Sequence, residues 1–273
     1  MILSGQWDPQ MDTLIEALFG VDDRFKATIQ ATPNANLKTA VCELYTSVSA
    51  ISSTIARLCK EERPCSSQVV GSLMRTLIEA CVAVFAFCRD PARRAELYVN
   101  FSHVLKFKGQ IRLEKHPGCP FSPPVDAGIR AQAKAEVRSS LLRVGQAYVE
   151  KSGGTVEEAT RPGSEKPGWF RRTWYPERRE EILAGEKMGW VNDVLYNWLC
   201  SSVHSDTWAS QCFAGLDRNH AATLAMQLWG AAAWRLAEVL GIELAPIHVK
   251  TLRDAFYRPL QWDLGIQQPQ VAP

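Results

Sequence analysis

Apolar residues recur every three or four positions along most of the chain, and no run alternates in the manner of a strand, so the pattern predicts an all-α fold. A short helix is expected after Asp8-Pro9, and a Thr-Pro-Asn-Ala-Asn turn near Thr32 leads into a long helix from about Leu37 to Glu62. Pro64 breaks that helix, and Ser66 or Ser67 supplies the N-cap of the next, which runs to about Cys88. Asp90-Pro91 opens a further helix, stopped by His116-Pro117-Gly118-Cys119-Pro120.

The second half reads as a polar-faced amphipathic helix over 126–151, an irregular Pro- and Gly-containing loop near 153–175, and helices over about 176–184, 187–204, 217–240 and 247–262. A Gln/Pro tail, 263–273, is expected to fray. The sum is a multi-helix bundle of about seven helices forming a single α-helical domain over 1–273, with no internal repeat.

Composition narrows the function classes. A net charge of +2 argues against a strongly basic polyanion-binding body but leaves room for a local basic patch. The eight cysteines are scattered without a Cys-x-x-Cys pair, which suits reduced thiols in a cytoplasmic protein better than a disulfide scaffold. The apolar stretch from Val69 to Cys88 could cross a bilayer by length, but Arg75 and Glu79 near its middle favour a buried helix of a soluble bundle, so no membrane partner is expected. No Gly-rich phosphate loop, GxSxG elbow or HExxH appears, and His116-x-x-Cys119 is explained by its turn, so neither a metal nor a cofactor is expected.

Three polar groupings stand out against the apolar periodicity. At 100° per residue, Val191, Val194, Leu195, Trp198 and Leu199 form one apolar stripe of the 187–204 helix, while Asp193, Asn197, Cys200, Ser201 and His204 fall on another face. Arg75 and Glu79 stand one turn apart on the narrow polar face of the Val69–Cys88 helix, so a partner for them is expected. In the helix after Asp90-Pro91, Tyr98, Ser102, His103 and Lys106 come within reach of one another by spacing.

The stretch EKPGWFRRTWYPERRE adds Trp169, Arg171, Arg172 and Trp174, a mixture in which rings can stack on unpaired bases and cations can neutralise phosphates. The same residues also suit an amphipathic loop that packs its rings on the bundle and turns its arginines to solvent.

Taken in order, RTLIEACVAVFAFCRDPARRAELYVNFSHVLKFK, then KPGWF, then VNDVLYNWLCSSVHSD resemble a bacterial family catalogued as domain of unknown function 5677, over about residues 66–210. The resemblance rests on Arg75 and Glu79, Asp90, Pro91, Tyr98 and Lys106, Trp169, Tyr196, Ser201 or Ser202, and His204. The helical layout is also similar to the higher eukaryote and prokaryote nucleotide-binding (HEPN) bundles, many of them metal-independent ribonucleases of defence systems, phage defence included. In those an arginine and a histidine on one helix act on a 2′-hydroxyl and its phosphate. No arginine stands at that distance before His204, so Arg75 from another helix would have to supply the charge.

The resemblance and the off-stripe placement together assign His204 as general acid or base, Arg75 as phosphate holder and Glu79 as its orienting carboxylate. Asn197, Ser201, Ser202, Tyr98, Lys106, Trp169, Arg171, Arg172 and Trp174 are the expected binding residues. RNA or another phosphate-bearing ligand is the expected partner, and the sequence also allows a homodimer. A non-catalytic interaction or small-molecule-binding module, in which the Arg75/Glu79/His204 cluster is structural, stays open as the alternative.

Overall fold

The computed structural model describes residues 6–61, 66–114, 174–175, 177–203, 217–244, 248 and 250–261, with the backbone alone over 103–114 and 201–203. The expected helix over 126–151, almost all of the loop near 153–175, and the tail lie outside the described residues.

Among the described residues the chain is all-α, with no strand and eight α-helices: α1 (Gln10–Ala31), α2 (Ala35–Lys60), α3 (Ser67–Cys88), α4 (Pro91–Glu114), α5 (Arg179–Gly185), α6 (Asn197–Val203), α7 (Arg218–Leu240) and α8 (Arg258–Leu260). Two π-helical segments, Val191–Tyr196 and Thr251–Tyr257, run directly into α6 and α8. By the contacts within it the chain divides into two compact units. The first comprises Met1–Pro33, Val41–Arg89 and Arg178–Pro273, and the second Asn34–Ala40 and Asp90–Glu177. The segment from Asp90 onward is thus an insertion between two stretches of the first unit.

Local chemistry explains where the helices start and stop. Ser66 caps α3 by accepting from the Gln68 amide at 3.3 Å, and Asp217 caps α7 by accepting from the His220 amide at 2.9 Å. Gly241 ends α7 in the left-handed conformation, φ 62°, that glycine adopts without a Cβ clash. Instead of the short helix expected after Asp8-Pro9, α1 extends over 22 residues. Its Leu18, Val21, Phe25 and Ile29 bury a continuous face, so tertiary packing prolongs the helix beyond its local signals.

In the first unit α7 packs on α1, α3 and the segment Thr251–Tyr257, while α3 also packs on α5 and α6. The buried alanines of α7, among them Ala221, Ala222, Ala225 and Ala232, let neighbouring backbones approach, and Phe85, Phe87, Trp229 and Phe256 fill the space between helices. Among the described residues α3 is the one helix long and apolar enough to cross a membrane by length and composition. Met74, Leu77, Ile78, Cys81, Val82 and Phe85 of that helix are buried against the other helices of the unit. Among the described cysteines, Cys42, Cys59, Cys81, Cys88 and Cys200, none is joined in a disulfide.

One buried polar group sits deep in this core. Tyr45 stacks on Phe25 with ring centroids 4.6 Å apart, and its hydroxyl accepts from Trp229 Nε1 at 3.3 Å. Burial, followed by the nearby Asp22 carboxylate, raises the Tyr45 hydroxyl well above its ordinary range. A raised folded-state pKa means that the folded protein keeps a proton the unfolded chain gives up. The resulting stabilisation is complete below about pH 10 and is lost as pH climbs toward the folded value.

Tyr45→Phe therefore isolates the effect. The stability gap between wild type and variant should shrink by about 1.4 kcal/mol per pH unit above about pH 10. Urea unfolding at pH 8, 10 and 11 measures this, and a gap that stays constant to pH 11 would refute it.

In the second unit Trp174 lies edge-on to Tyr98 of α4, with centroids 5.4 Å apart, and edge-on to Tyr175 at 5.1 Å. Nearby in sequence, Glu177 pairs at 2.5 Å with Arg94 of α4, both side chains about nine-tenths buried. The Trp174 ring is only 6% exposed. Its packing follows the alternative in which the loop turns its rings onto the bundle: burying so large a ring against Tyr98 stabilises the unit more than leaving it in water.

A candidate anion site around Tyr196

The segment that carries the site departs from regular α geometry. Between Val191 and Tyr196 the backbone bonds close five residues apart, which widens each turn and rotates successive side chains less than in an α-helix. The 100° stripe is corrected accordingly. Val191, Leu195 and Leu199 are buried as expected, but Val194 is 54% exposed, and Asn192 and Tyr196 turn inward at 4% and 6% exposure.

That rotation delivers the Tyr196 hydroxyl to α3. It donates to Glu79 Oε1 at 2.5 Å and accepts from Arg75 Nε at 3.3 Å, while Arg75 Nε lies 3.5 Å from the same carboxylate oxygen. The pair on α3 thus has the partner its placement called for. Burial first, and then the bond to Glu79, raise the Tyr196 hydroxyl above its ordinary range, while Arg75 opposes the shift. Tyr196 is therefore a neutral donor near neutral pH rather than a nucleophilic tyrosinate.

A second arginine completes the group. Arg179, the first residue of α5, places its guanidinium carbon 3.4 Å from the centroid of the Tyr196 ring, and that of Arg75 is 5.5 Å away. Arg179 is held there by Nε donating to Asn192 Oδ1 at 2.7 Å and by Glu180 at 3.4 Å, and Asn192 in turn donates to Asp193 Oδ1 at 2.8 Å. The side chains of Arg75 and Glu79 remain 31% and 49% exposed, so both keep surface for a ligand. For the same reason their mutual ion pair contributes only a few tenths of a kcal/mol.

The other expected site residues fall as follows. Asn197 is exposed at the start of α6 and donates to the Asp193 carbonyl at 3.3 Å. Ser201 and Ser202 lie on α6 and Lys106 on α4 by their backbone. Tyr98 belongs to the second unit, with Trp174 packed on it. His204, Trp169, Arg171 and Arg172 lie outside the described residues. Among the described residues no cluster of His, Cys, Asp or Glu is arranged to hold a metal.

Asn192 is a site residue that the sequence does not single out, and Arg179 stands out there only as one cation of the stretch EKPGWFRRTWYPERRE. Arg179 sits in a run of charge that resembles a solvated face, and Asn192 becomes buried only through the π-helical geometry. A signal was present in Tyr196, whose place between Val191 and His204 belongs to the ordered motif set.

Fold and site together define an all-α protein with an arginine–tyrosine–carboxylate cluster built across α3, α5 and a π-helical turn. The chain belongs to the family described as Family of unknown function (DUF5677), whose model matches residues 38–220, a span that contains every residue of this cluster and His204. No curated protein and no solved structure matches the chain.

Proposed function

We propose that the protein binds a phosphate-bearing ligand, with RNA the favoured class, at Arg75 and Arg179, and that Tyr196 and Glu79 serve there as a proton-transfer pair. The observation that carries this reading is the Tyr196 hydroxyl, held between the Glu79 carboxylate and Arg75 Nε while both partners stay partly in solvent. Arg75 commits Nε to this network, which leaves its two Nη groups as a fork for non-bridging phosphate oxygens. A ligand hydroxyl donating to Tyr196 Oη could pass a proton through it to Glu79.

The resemblance of the sequence's helical pattern to HEPN bundles favours the same class. His204 follows the last residue of α6, the helix that packs on α3, and is the natural second acid–base group for cleavage beside a 2′-hydroxyl.

Binding and cleavage of a single-stranded RNA oligonucleotide test this. Arg75→Ala should weaken binding by about tenfold or more, equivalent to about 1.4 kcal/mol or more, with a reduced salt dependence. Tyr196→Phe, Glu79→Gln and His204→Ala should lower cleavage more than binding. A wild-type protein that neither binds nor cleaves RNA at low salt would defeat the reading.

A second reading has its own support. Arg179, Asn192, Asp193 and Glu180 pair among themselves, as a cluster does whose role is to fix helix register. On that reading Tyr196→Phe lowers the melting temperature and leaves RNA binding untouched.

A further inference from the structure

On a different face of the first unit, α1, α2 and α7 enclose a cavity of about 360 Å³, within the size range of small-molecule sites. Its walls are apolar, with Trp229 and Met226 of α7 at the base and Phe19 of α1 at the lip, its ring edge-on to Trp229 with centroids 5.5 Å apart. Phe19 is 47% exposed, so the cavity opens to solvent beside an uncovered ring.

Two polar features break this apolar lining. Ser52 of α2 is fully buried, and its hydroxyl has no hydrogen-bond partner. Other hydroxyls of α2 do not share that condition: Ser47, Ser49, Ser53 and Thr54 all donate back to a carbonyl three or four residues earlier. A buried hydroxyl left unpaired is unfavourable, and a polar atom brought within its reach would offset that.

The cavity is also lined by Arg57, which is exposed, and by Lys60, whose ammonium pairs with Asp12 at 2.9 Å. Two cations against one carboxylate leave an excess positive charge beside an apolar slot.

We infer that this cavity is a binding site for a small planar aromatic carboxylate. The ring system would lie against Trp229, Met226 and Phe19, and the carboxylate would meet Arg57 and Lys60. Ser52, whose hydroxyl is closed off from the cavity in this structure, adds an interior hydrogen bond on a change of rotamer. The site is separate from the Tyr196 cluster, and neither proposal depends on the other.

Calorimetric titration with 2-naphthoate, compared with neutral 2-methylnaphthalene in thermal melts, tests it on the full chain. Saturable 2-naphthoate binding is expected, with a rise in melting temperature that 2-methylnaphthalene matches poorly. Arg57→Ala changes an exposed residue and leaves the core intact. It should weaken 2-naphthoate by about tenfold, equivalent to about 1.4 kcal/mol, and Ser52→Ala should weaken it as well. Arg75→Ala should have no effect. Absence of saturable 2-naphthoate binding to the wild type at millimolar concentration, or binding that Arg57→Ala leaves unchanged, would overturn the inference.

Discussion

Phe256→Ala is expected to lower stability by about 3–5 kcal/mol, near the upper end for a single core substitution. The ring is 1% exposed and lies directly over Gly230 of α7. A Cβ added at Gly230 would come within 2.6 Å of Phe256 Cβ, Cγ and Cδ2, so glycine is required there by close approach rather than by backbone conformation. Gly230→Ala alone sets that overlap, about 1–3 kcal/mol of overpacking, against a helix-propensity gain of about 1 kcal/mol. With Phe256→Ala also present Cγ and Cδ2 are gone and only the Cβ of residue 256 still meets the new methyl, so most of the overlap is relieved as that Cβ shifts into the vacated space. The double variant should therefore be more stable than the sum of the two singles predicts, by about 1 kcal/mol or more. Urea unfolding of the four proteins measures this coupling, and strict additivity would show that Gly230 and Phe256 do not constrain each other.

Much of the helical layout can be read from local signals. Ser66, Asp217 and Gly241 are capping residues with defined hydrogen-bonding or conformational roles, and each ends or begins a helix where the apolar periodicity changes. The length of α1 could not be read this way, because its last two turns are held by Phe25 and Ile29 packing inside the unit rather than by any capping signal of their own. The division into two units was hidden for a similar reason. Periodicity reports which face of a helix is apolar but not which other helix covers it.

The site was half legible. Arg75 and Glu79 announced themselves as charges on an otherwise apolar helix, and spacing put them one turn apart. Their partner did not, because the rule of 100° per residue fails between Val191 and Tyr196. Six residues of slightly lower rotation per residue are enough to expose Val194 and to bury Tyr196 and Asn192. A π-helical turn has no simple sequence signature, whereas a run in which an asparagine and a tyrosine interrupt an apolar stripe is at least a reason to test other periods. Trp174 was open to two readings: an aromatic among arginines suggests nucleic acid, but the energetic pull on an indole is toward the nearest ring, and Tyr98 is there.

Glu186→Ala is the second large effect, and it links stability to the site. The carboxylate is 7% exposed, pairs with Arg235 Nε at 2.9 Å and accepts from the Tyr257 hydroxyl at 2.8 Å, while the Glu186 carbonyl accepts from Gln261 Nε2 at 3.4 Å. Truncation leaves Arg235 with Glu238 alone and the Tyr257 hydroxyl without its acceptor. Breaking a buried pair costs about 3–5 kcal/mol, and because Arg235 keeps some contact with solvent the loss should fall near the lower end. Glu186 also anchors the turn between α5 and the π-helical segment, where Lys187 is held at φ 59°, a strained value for a residue with a side chain. Arg179 leads into that turn and Tyr196 leaves it, so loosening the turn should disturb both. The expected result is a fall in urea midpoint together with weaker RNA binding, whereas Arg75→Ala reduces binding at an unchanged midpoint. If Glu186→Ala lowers the midpoint but leaves RNA affinity at the wild-type value, the turn does not position the arginine and tyrosine for the ligand.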